Sequence, residues 1–194
     1  MEALDKANQV VRKFFERRNF QPDEGQLEVF GDRYVLVRAA SLSVEFFDIV
    51  KRLYHDQTEE DAVTIAHGLL FDVAHALGRA DARSFHDRMG LDDLEEQLAA
   101  GPAHFAHAGR ATLEILEDSR PVDDEDFLLL YKHHNSFEAE AWLEAKDGAD
   151  FPVCIMSAGY SSGWLSQSTG VDVVSTEILC RARGDDDCRF VMAH

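Results

Sequence analysis

Along the first hundred residues the apolar side chains mainly follow a helical period. Residues 2–18 place theirs three and four positions apart, as one face of a helix does, and the same spacing recurs over 42–54, 62–77, 82–89 and 91–100. Thr58 starts a capping sequence before the 62–77 helix, and Gly78 is expected to end it. Two β-rich runs, 26–30 and 33–38, flank Gly31-Asp32 and predict a hairpin. Gly101-Pro102 is expected to interrupt the helix of 91–100 before residues 104–109.

After residue 111 the pattern changes from helical to alternating. Residues 112–116 and 136–143 alternate apolar and polar side chains and 127–131 is a short apolar run, so all three are predicted strands. A helix is predicted over 158–168, a closing hairpin from 171–179 and 189–193, and a solvated acidic turn at 122–126. The sequence therefore predicts an α+β fold, in which a helical first half packs on an antiparallel sheet.

Charge narrows the possible partners. The 194 residues include 37 acidic and 19 basic side chains, which gives a formal net charge of −18. Because nucleic acids and anionic membranes are bound mainly through Lys and Arg, we expect no direct binding to either. The sequence has no run of 18 apolar residues and no apolar signal segment after Met1. We therefore expect a cytoplasmic protein.

The three cysteines and one glutamate near the carboxyl end form a candidate metal site. In a reducing compartment Cys154, Cys180 and Cys188 are not expected to form a disulfide framework. With Glu177 they offer three thiolates and one carboxylate, a donor set that suits four-coordinate zinc. Glu177 and Cys180 would face opposite sides of a regular strand, so they can converge only if the backbone bulges. Ordinary buried cysteines beside an incidental glutamate are the alternative, and the spacing leaves both open.

The last third of the chain resembles a known family at specific positions, which are PVCIMSAGYSSGW at 152–164, Gly170, EILC at 177–180, Gly184 and Cys188. Looser matches lie upstream, at Gly101-Pro102 and in NSFEAE at 135–140. In this order the residues resemble the 4-vinyl-reductase domain, in the version found at the N-terminus of XylR-type activators of aromatic catabolism.

This resemblance implies a fold, a cofactor and partners. The fold would be related to the ligand-binding domains of nitric-oxide signalling and Golgi-transport proteins. A structural Zn²⁺ would be held by Cys154, Glu177, Cys180 and Cys188, which match the family's four ligands. The protein would be a homodimer, with the helix and hairpin of residues 1–40 as the dimerisation segment and 41–194 as the ligand-binding domain. A bound effector would control a C-terminal output module.

The resemblance also implies a buried pocket for a small hydrophobic or aromatic effector. In phenol-sensing relatives a histidine after the Gly-Pro pair and a tryptophan before the Ser-Phe-Glu run hold the ligand hydroxyl. Phe105 and His133 occupy the matching positions here, and a shift of one residue would bring His104 inward instead. Tyr131 and Trp164 are further candidates for the pocket wall. Because the polar partners differ, we do not expect phenol specificity to carry over.

The function expected from these residues is a sensor domain without enzymatic activity. No acid–base pair is evident, and a zinc ion with four protein ligands has no open position for water. The segment 157–163 lacks the order of a nucleophile elbow or a P-loop, so its glycines are expected to serve tight helix packing. Two alternatives stay open: a tetrapyrrole- or hydrocarbon-handling enzyme or chaperone of the 4-vinyl-reductase type, and a purely structural assembly module.

Overall fold

In the computed structural model, which describes residues 2–122 and 126–193, helices pack against two antiparallel sheets. The helices are α1 (Glu2–Glu16), α2 (Val44–Leu53), α3 (Glu59–Met89), α4 (Leu94–His107), α5 (Phe137–Lys146) and α6 (Ile155–Thr169). The strands are β1 (Arg18–Gln21), β2 (Gln26–Val29), β3 (Asp32–Tyr34), β4 (Thr112–Ile115), β5 (Leu129–His134), β6 (Val174–Leu179) and β7 (Cys188–Ala193). The predicted α+β class is confirmed. The middle of the predicted acidic turn at 122–126 lies outside the described residues.

The smaller sheet has the order β1-β2-β3 and contains the predicted hairpin. Val29 pairs with Asp32, so the two-residue turn is Phe30-Gly31, one position before the predicted one. Both turn residues have positive φ, 52° and 90°, as a two-residue hairpin turn requires. The strand β1 replaces the end of the helix predicted over 2–18, and it pairs antiparallel with β2.

The larger sheet has the order β4-β5-β7-β6, so β7 inserts between two strands that precede it in the chain. Side chains alternate across β5, where His133 is buried and His134 is exposed, as predicted for neighbours on a strand. On β7 Cys188, Phe190 and Met192 are all buried. The buried face of this sheet therefore carries three residues that the sequence analysis names, which are Tyr131, His133 and Cys188. The helix α6 packs close to this sheet.

The two central helices, α3 and α6, cross at very short range because glycines lie at their contact. A Cβ added to Gly78 would come within 2.2 Å of the Tyr160 carbonyl oxygen, and one on Gly163 within 2.0 Å of the His75 oxygen. This confirms tight packing at the glycines of 157–163. It also shows that the expected end of a helix at Gly78 is wrong, because α3 continues through this glycine to Met89.

Two other expectations about local structure are wrong. The segment 136–143 forms the helix α5 instead of a strand, and Ala, Glu and Leu in it are good helix formers. Gly101-Pro102 lies inside α4 instead of breaking it. The indole of Trp164 packs over Gly101 and donates a hydrogen bond to the Gln97 carbonyl oxygen, 3.2 Å away. This contact fixes α6 against the turn of α4 that precedes the proline. No described helix is long and apolar enough to span a bilayer.

Candidate functional site

Three cysteines and one glutamate meet behind the amino end of α6. Cys154, Glu177, Cys180 and Cys188 each bring one ligand atom within 4.8 Å of the others, and all four side chains are buried. The Sγ atoms of Cys154 and Cys188 are 3.7 Å apart, and the cysteines are free thiols. The structure therefore brings together the four residues that the sequence predicts as metal ligands.

Irregular backbone brings these four residues together. The register of β6 against β7 shifts between Glu177 and Leu179, which is the bulge required for Glu177 and Cys180 to converge. Gly184, with φ of 97°, then reverses the chain after a short 3₁₀ turn and returns it to Cys188. The predicted bulge and turn are both present.

Hydrogen bonds and burial set the charge of the cluster. The backbone N–H of Cys154 donates to Oε2 of Glu177 at 2.8 Å, and the N–H of Arg181 donates to Sγ of Cys188 at 3.4 Å. Hydrogen bonds from the Cys154 and Cys188 thiols lower the pKa of Cys180 to about 2. Burial, reinforced by the negative charge on Cys180, raises the pKa of Glu177 to about 8. Hydrogen bonding within the cluster thus favours the thiolate form of Cys180 over that of its two neighbours.

The hydrogen bonding of the two Glu177 oxygens shows whether a cation would fit in the cluster. Its Oε2 atom accepts a hydrogen bond, but Oε1 is buried and has no partner among the described residues. A buried oxygen without a partner is costly, and a cation held between it and the thiol sulfurs would remove that cost. The donor set of three sulfurs and one oxygen is one that zinc accepts. The residues present fit the metal that the sequence predicts.

A cavity of about 780 Å³ lies between α4, α6 and the inner face of the larger sheet. Phe105, Tyr131 and Trp164, three of the five predicted effector-binding residues, lie on its wall. Each of them is at most 3% exposed. The rest of the described wall is mostly apolar, with Leu98 of α4 and Met192 of β7 among its members. The arrangement suits an apolar guest.

The polar atoms of the aromatic wall already have protein partners. The Tyr131 hydroxyl lies 2.6 Å from the Ser175 hydroxyl, and the Tyr160 hydroxyl donates to Oδ2 of Asp81 at 2.8 Å. The Trp164 indole N–H is taken up by a backbone carbonyl of α4. Burial raises the pKa of Tyr131 to about 12, so this phenol stays neutral. The wall therefore offers ring faces and edges more than free hydrogen-bonding groups.

The two predicted histidines lie behind the wall and outside the set of lining residues. Nδ1 of His104 is 3.1 Å from the Tyr160 hydroxyl, and its ring packs 4.9 Å from that of Trp164. The ring of His133 packs 5.0 Å from Phe105 and has no hydrogen-bond partner among the described residues. Burial lowers the pKa of each histidine to about 3, so both are neutral near pH 7. Their contact with a ligand stays a prediction.

Family models match most of the chain. The model described as activator of aromatic catabolism matches residues 14–118, more than half of the sequence, and the 4-vinyl-reductase domain model matches residues 131–193. The chain belongs to the family of activators of aromatic catabolism. The resemblance found in residues 152–188 is therefore confirmed, and the candidate metal cluster lies within the 4-vinyl-reductase match.

Two curated proteins are similar to this chain over nearly its whole length. The phenol regulator MopR of Acinetobacter guillouiae is 25% identical over 185 residues, which cover 95% of this chain and 31% of MopR. The transcriptional regulatory protein XylR of Pseudomonas putida is 24% identical over 172 residues, which cover 89% of this chain and 29% of XylR. The chain thus spans less than a third of the length of these relatives.

Solved structures share the fold. The phenol-responsive sensory domain of the transcription activator PoxR, solved with phenol, has a TM-score of 0.79 at 21% identity, covering 95% of this chain and 88% of that one. A trafficking protein particle complex subunit 3 from Naegleria fowleri, solved with covalently bound palmitic acid, has a TM-score of 0.52 at 13% identity, covering 80% and 93%. The expected relation to a transport-protein fold is confirmed.

In this family member the candidate metal cluster and the cavity share structural elements. The helix α6 begins directly after Cys154, and one of its faces presents Trp164 to the cavity. The strand β7 begins at Cys188 and carries Phe190, whose ring stacks on Tyr131 at 5.0 Å with 7° between the planes. Residues that hold the cluster together therefore also position the wall of the cavity.

Sequence reasoning missed Glu138. Its side chain is fully buried, and its two oxygens accept the backbone N–H groups of Met156 and Ser157 at 2.8 and 2.9 Å. These donors are at the amino end of α6, so the carboxyl group caps the helix that walls the cavity. Burial raises the pKa of Glu138 to about 7. The NSFEAE run was a usable signal, but its assignment to a strand concealed this role.

Proposed function

We propose that this chain is the effector-sensing domain of a cytoplasmic transcription regulator and that it binds a small hydrophobic or aromatic molecule. The observation that carries the proposal is the cavity of about 780 Å³ walled by Phe105, Tyr131 and Trp164, in a chain that belongs to the activators of aromatic catabolism. MopR is named a phenol regulator, and the PoxR sensory domain was solved with phenol. In the proposal, the bound effector controls an output module on the C-terminal side.

A thermal-shift screen tests this function. A ligand present at 100 times its Kd stabilises the folded state by about 2.7 kcal/mol, which corresponds to several degrees in the melting temperature of a chain this size. Phenols, alkylbenzenes and larger cyclic hydrocarbons should include compounds that raise it. If none does while the protein melts cooperatively, the sensor function is contradicted and an assembly module becomes the better explanation.

We further propose that Cys154, Glu177, Cys180 and Cys188 hold a structural zinc ion. Their convergence and the unpaired Oε1 of Glu177 support this. A zinc ion with four protein ligands adds folding free energy and offers no open position for chemistry, which agrees with a domain that is not an enzyme. Elemental analysis of protein purified without chelator should find about one zinc per chain. Folded protein without metal would contradict the proposal.

The proposed assembly is a homodimer formed through residues 1–40. Support comes from Val35, Leu36 and Val37, which are consecutive apolar side chains exposed by 75%, 84% and 51%. Exposed apolar clusters of this kind are typical of protein–protein contacts. Light scattering after size exclusion should give about twice the 21.8 kDa of one chain, and Leu36→Asp should shift the mass toward the monomer. A monomeric wild-type protein would contradict the dimer.

A further inference from the structure

The size of the cavity points beyond phenol, the compound named for MopR and for the PoxR sensory domain. An engineered apolar cavity of about 150 Å³ is enough to bind benzene. The cavity of this chain, at about 780 Å³, is roughly five times larger and falls within the range of pockets for drug-sized ligands. A single ring would leave most of the wall without contacts, so it would gain only part of the available dispersion energy.

The cavity has two ends of different character. At the inner end Phe105, Tyr131 and Trp164 present buried aromatic rings. The wall then continues through mostly apolar residues to Leu94 and Ile115, which are 38% and 47% exposed. Flat ring systems pack well against aromatic side chains. A rigid, extended ring skeleton could contact the aromatic end and the aliphatic end at once.

Charge around the cavity disfavours anionic ligands. Among the described lining residues none is Lys, Arg or His, and the one ionisable acid is Glu95, at the exposed end. The hydroxyls of Tyr131 and Tyr160 are already engaged. A carboxylate would lose its hydration without gaining a cation, and the remaining hydroxyl on the described wall, that of Ser161, is uncharged. This exchange is unfavourable in an apolar site. The net charge of −18 would also repel it during approach.

We infer that the effector is an uncharged apolar molecule larger than one aromatic ring, with a skeleton of two or more fused rings. This inference rests on the proposed function, because it specifies the ligand of the same cavity. Ala99, a half-buried residue of α4 on the wall, is the position where this class of ligand can be tested against smaller ones. A larger side chain there removes volume without adding charge.

Titration calorimetry with benzene, phenol, naphthalene, phenanthrene and 2-naphthoate tests the inference. Phenanthrene should bind at least tenfold more tightly than benzene or phenol, and 2-naphthoate at least tenfold more weakly than naphthalene. Because the chain has two tryptophans and Trp142 does not line the cavity, Trp142→Phe leaves Trp164 as the fluorescent reporter of binding. Its emission should change with phenanthrene.

The variant Ala99→Phe should weaken phenanthrene binding at least tenfold while benzene binding stays within threefold of wild type. Ala76→Phe, on the exposed side of α3, is the matched control and should change neither. If Ala99→Phe does not fold, Ile115→Trp at the exposed end takes its place. We add 1-decanol to the panel as a flexible apolar compound without a ring. Equal affinities for phenol and phenanthrene, or tighter binding of 1-decanol than of phenanthrene, would overturn the inference and leave sensing intact. Absence of binding by every compound would overturn the proposed function with it.

Discussion

His133 is buried in the aromatic core with both ring nitrogens lacking partners among the described residues. Its folded-state pKa is about 3, because burial disfavours the charged ring and the neighbouring His134 adds to the effect. The unfolded chain takes up a proton near pH 6.5 and the folded one does not. The contribution of His133 to the free energy of unfolding is therefore fully present above pH 6.5 and is lost as the pH falls toward 3.

The variant His133→Leu should raise the stability at pH 7.5 by about 1 kcal/mol, because it removes two unpaired polar atoms. It should also remove about 1.4 kcal/mol of the loss that wild type suffers between pH 7.5 and 5.5. Urea unfolding at the two pH values measures both effects. His55→Leu, at an exposed position just after α2, is the control and should leave the pH dependence of wild type. An unchanged slope for His133→Leu would show that this histidine is not buried as a neutral ring.

The variant Cys180→Ser should lose most of its bound zinc and either melt more than 10 °C lower or fail to stay soluble. The physical reason is that metal binding to a structural site is also folding free energy. Elemental analysis and a melting curve measure the two effects. The variant Ser168→Ala on α6, away from the cluster, should keep one zinc per chain. A soluble Cys180→Ser protein with wild-type melting would contradict the zinc proposal.

At the scale of single residues, the candidate metal ligands were predictable and the histidines were not. The chain has only three cysteines, all in its last 41 residues, and the family resemblance adds Glu177 to them, so few combinations of ligands had to be considered. His104 and His133 have several possible roles, and their surroundings come from other elements. Only the fold places Trp164 beside His104 and Phe105 beside His133.

At the scale of the elements, the crossing of α3 and α6 leaves no room for a side chain at its glycines. The variant Gly163→Ala should destabilise the protein by about 3 kcal/mol, because its Cβ would come within 2.0 Å of the His75 carbonyl oxygen. Gly68→Ala is the matched control on α3, where a Cβ has open space. It should stabilise by up to about 1 kcal/mol, since alanine is the better helix former. Chemical unfolding compares them, and equal effects would contradict the close crossing.

The cap that Glu138 provides for α6 gives a second prediction about an element. Glu138→Ala should cost about 2–4 kcal/mol, because it leaves the N–H groups of Met156 and Ser157 unpaired in a buried place. Glu140→Ala, on the exposed side of α5, is the control and should cost less than about 0.5 kcal/mol. Denaturant midpoints measure the difference. Equal midpoints would show that other groups accept hydrogen bonds from the first N–H groups of α6.

Periodicity predicted most elements, and it failed where tertiary contacts decide. The spacing located α1, α2 and β7 because each has one buried apolar face. The segment 136–143 was assigned to a strand because its Ala and Glu residues alternate, yet its burial follows a helix in α5. Gly78 and Gly101 were expected to interrupt helices, but each instead makes room for a residue of α6. Neither fact is visible in local sequence.

For the whole molecule, the charge of −18 predicts a stability that depends on salt. Raising NaCl from 0.02 to 0.5 M shortens the Debye length from roughly 20 Å to about 4 Å, which screens repulsion within the folded protein. The melting temperature should rise by a few degrees, the equivalent of about 1 kcal/mol. Scanning fluorimetry measures the shift, with sucrose as an uncharged control. A lower melting temperature in salt would contradict the argument.

The sequence by itself determined the α+β class, the family and the four candidate metal ligands, because residue types, alternation and motif spacing are local properties of the chain. Only the tertiary structure decided the volume of the cavity, the burial of His133 and the role of Glu138. Each of these depends on how closely α4, α6 and the larger sheet approach one another. That distance is set by glycines and bulges whose effect appears only when distant segments pack together.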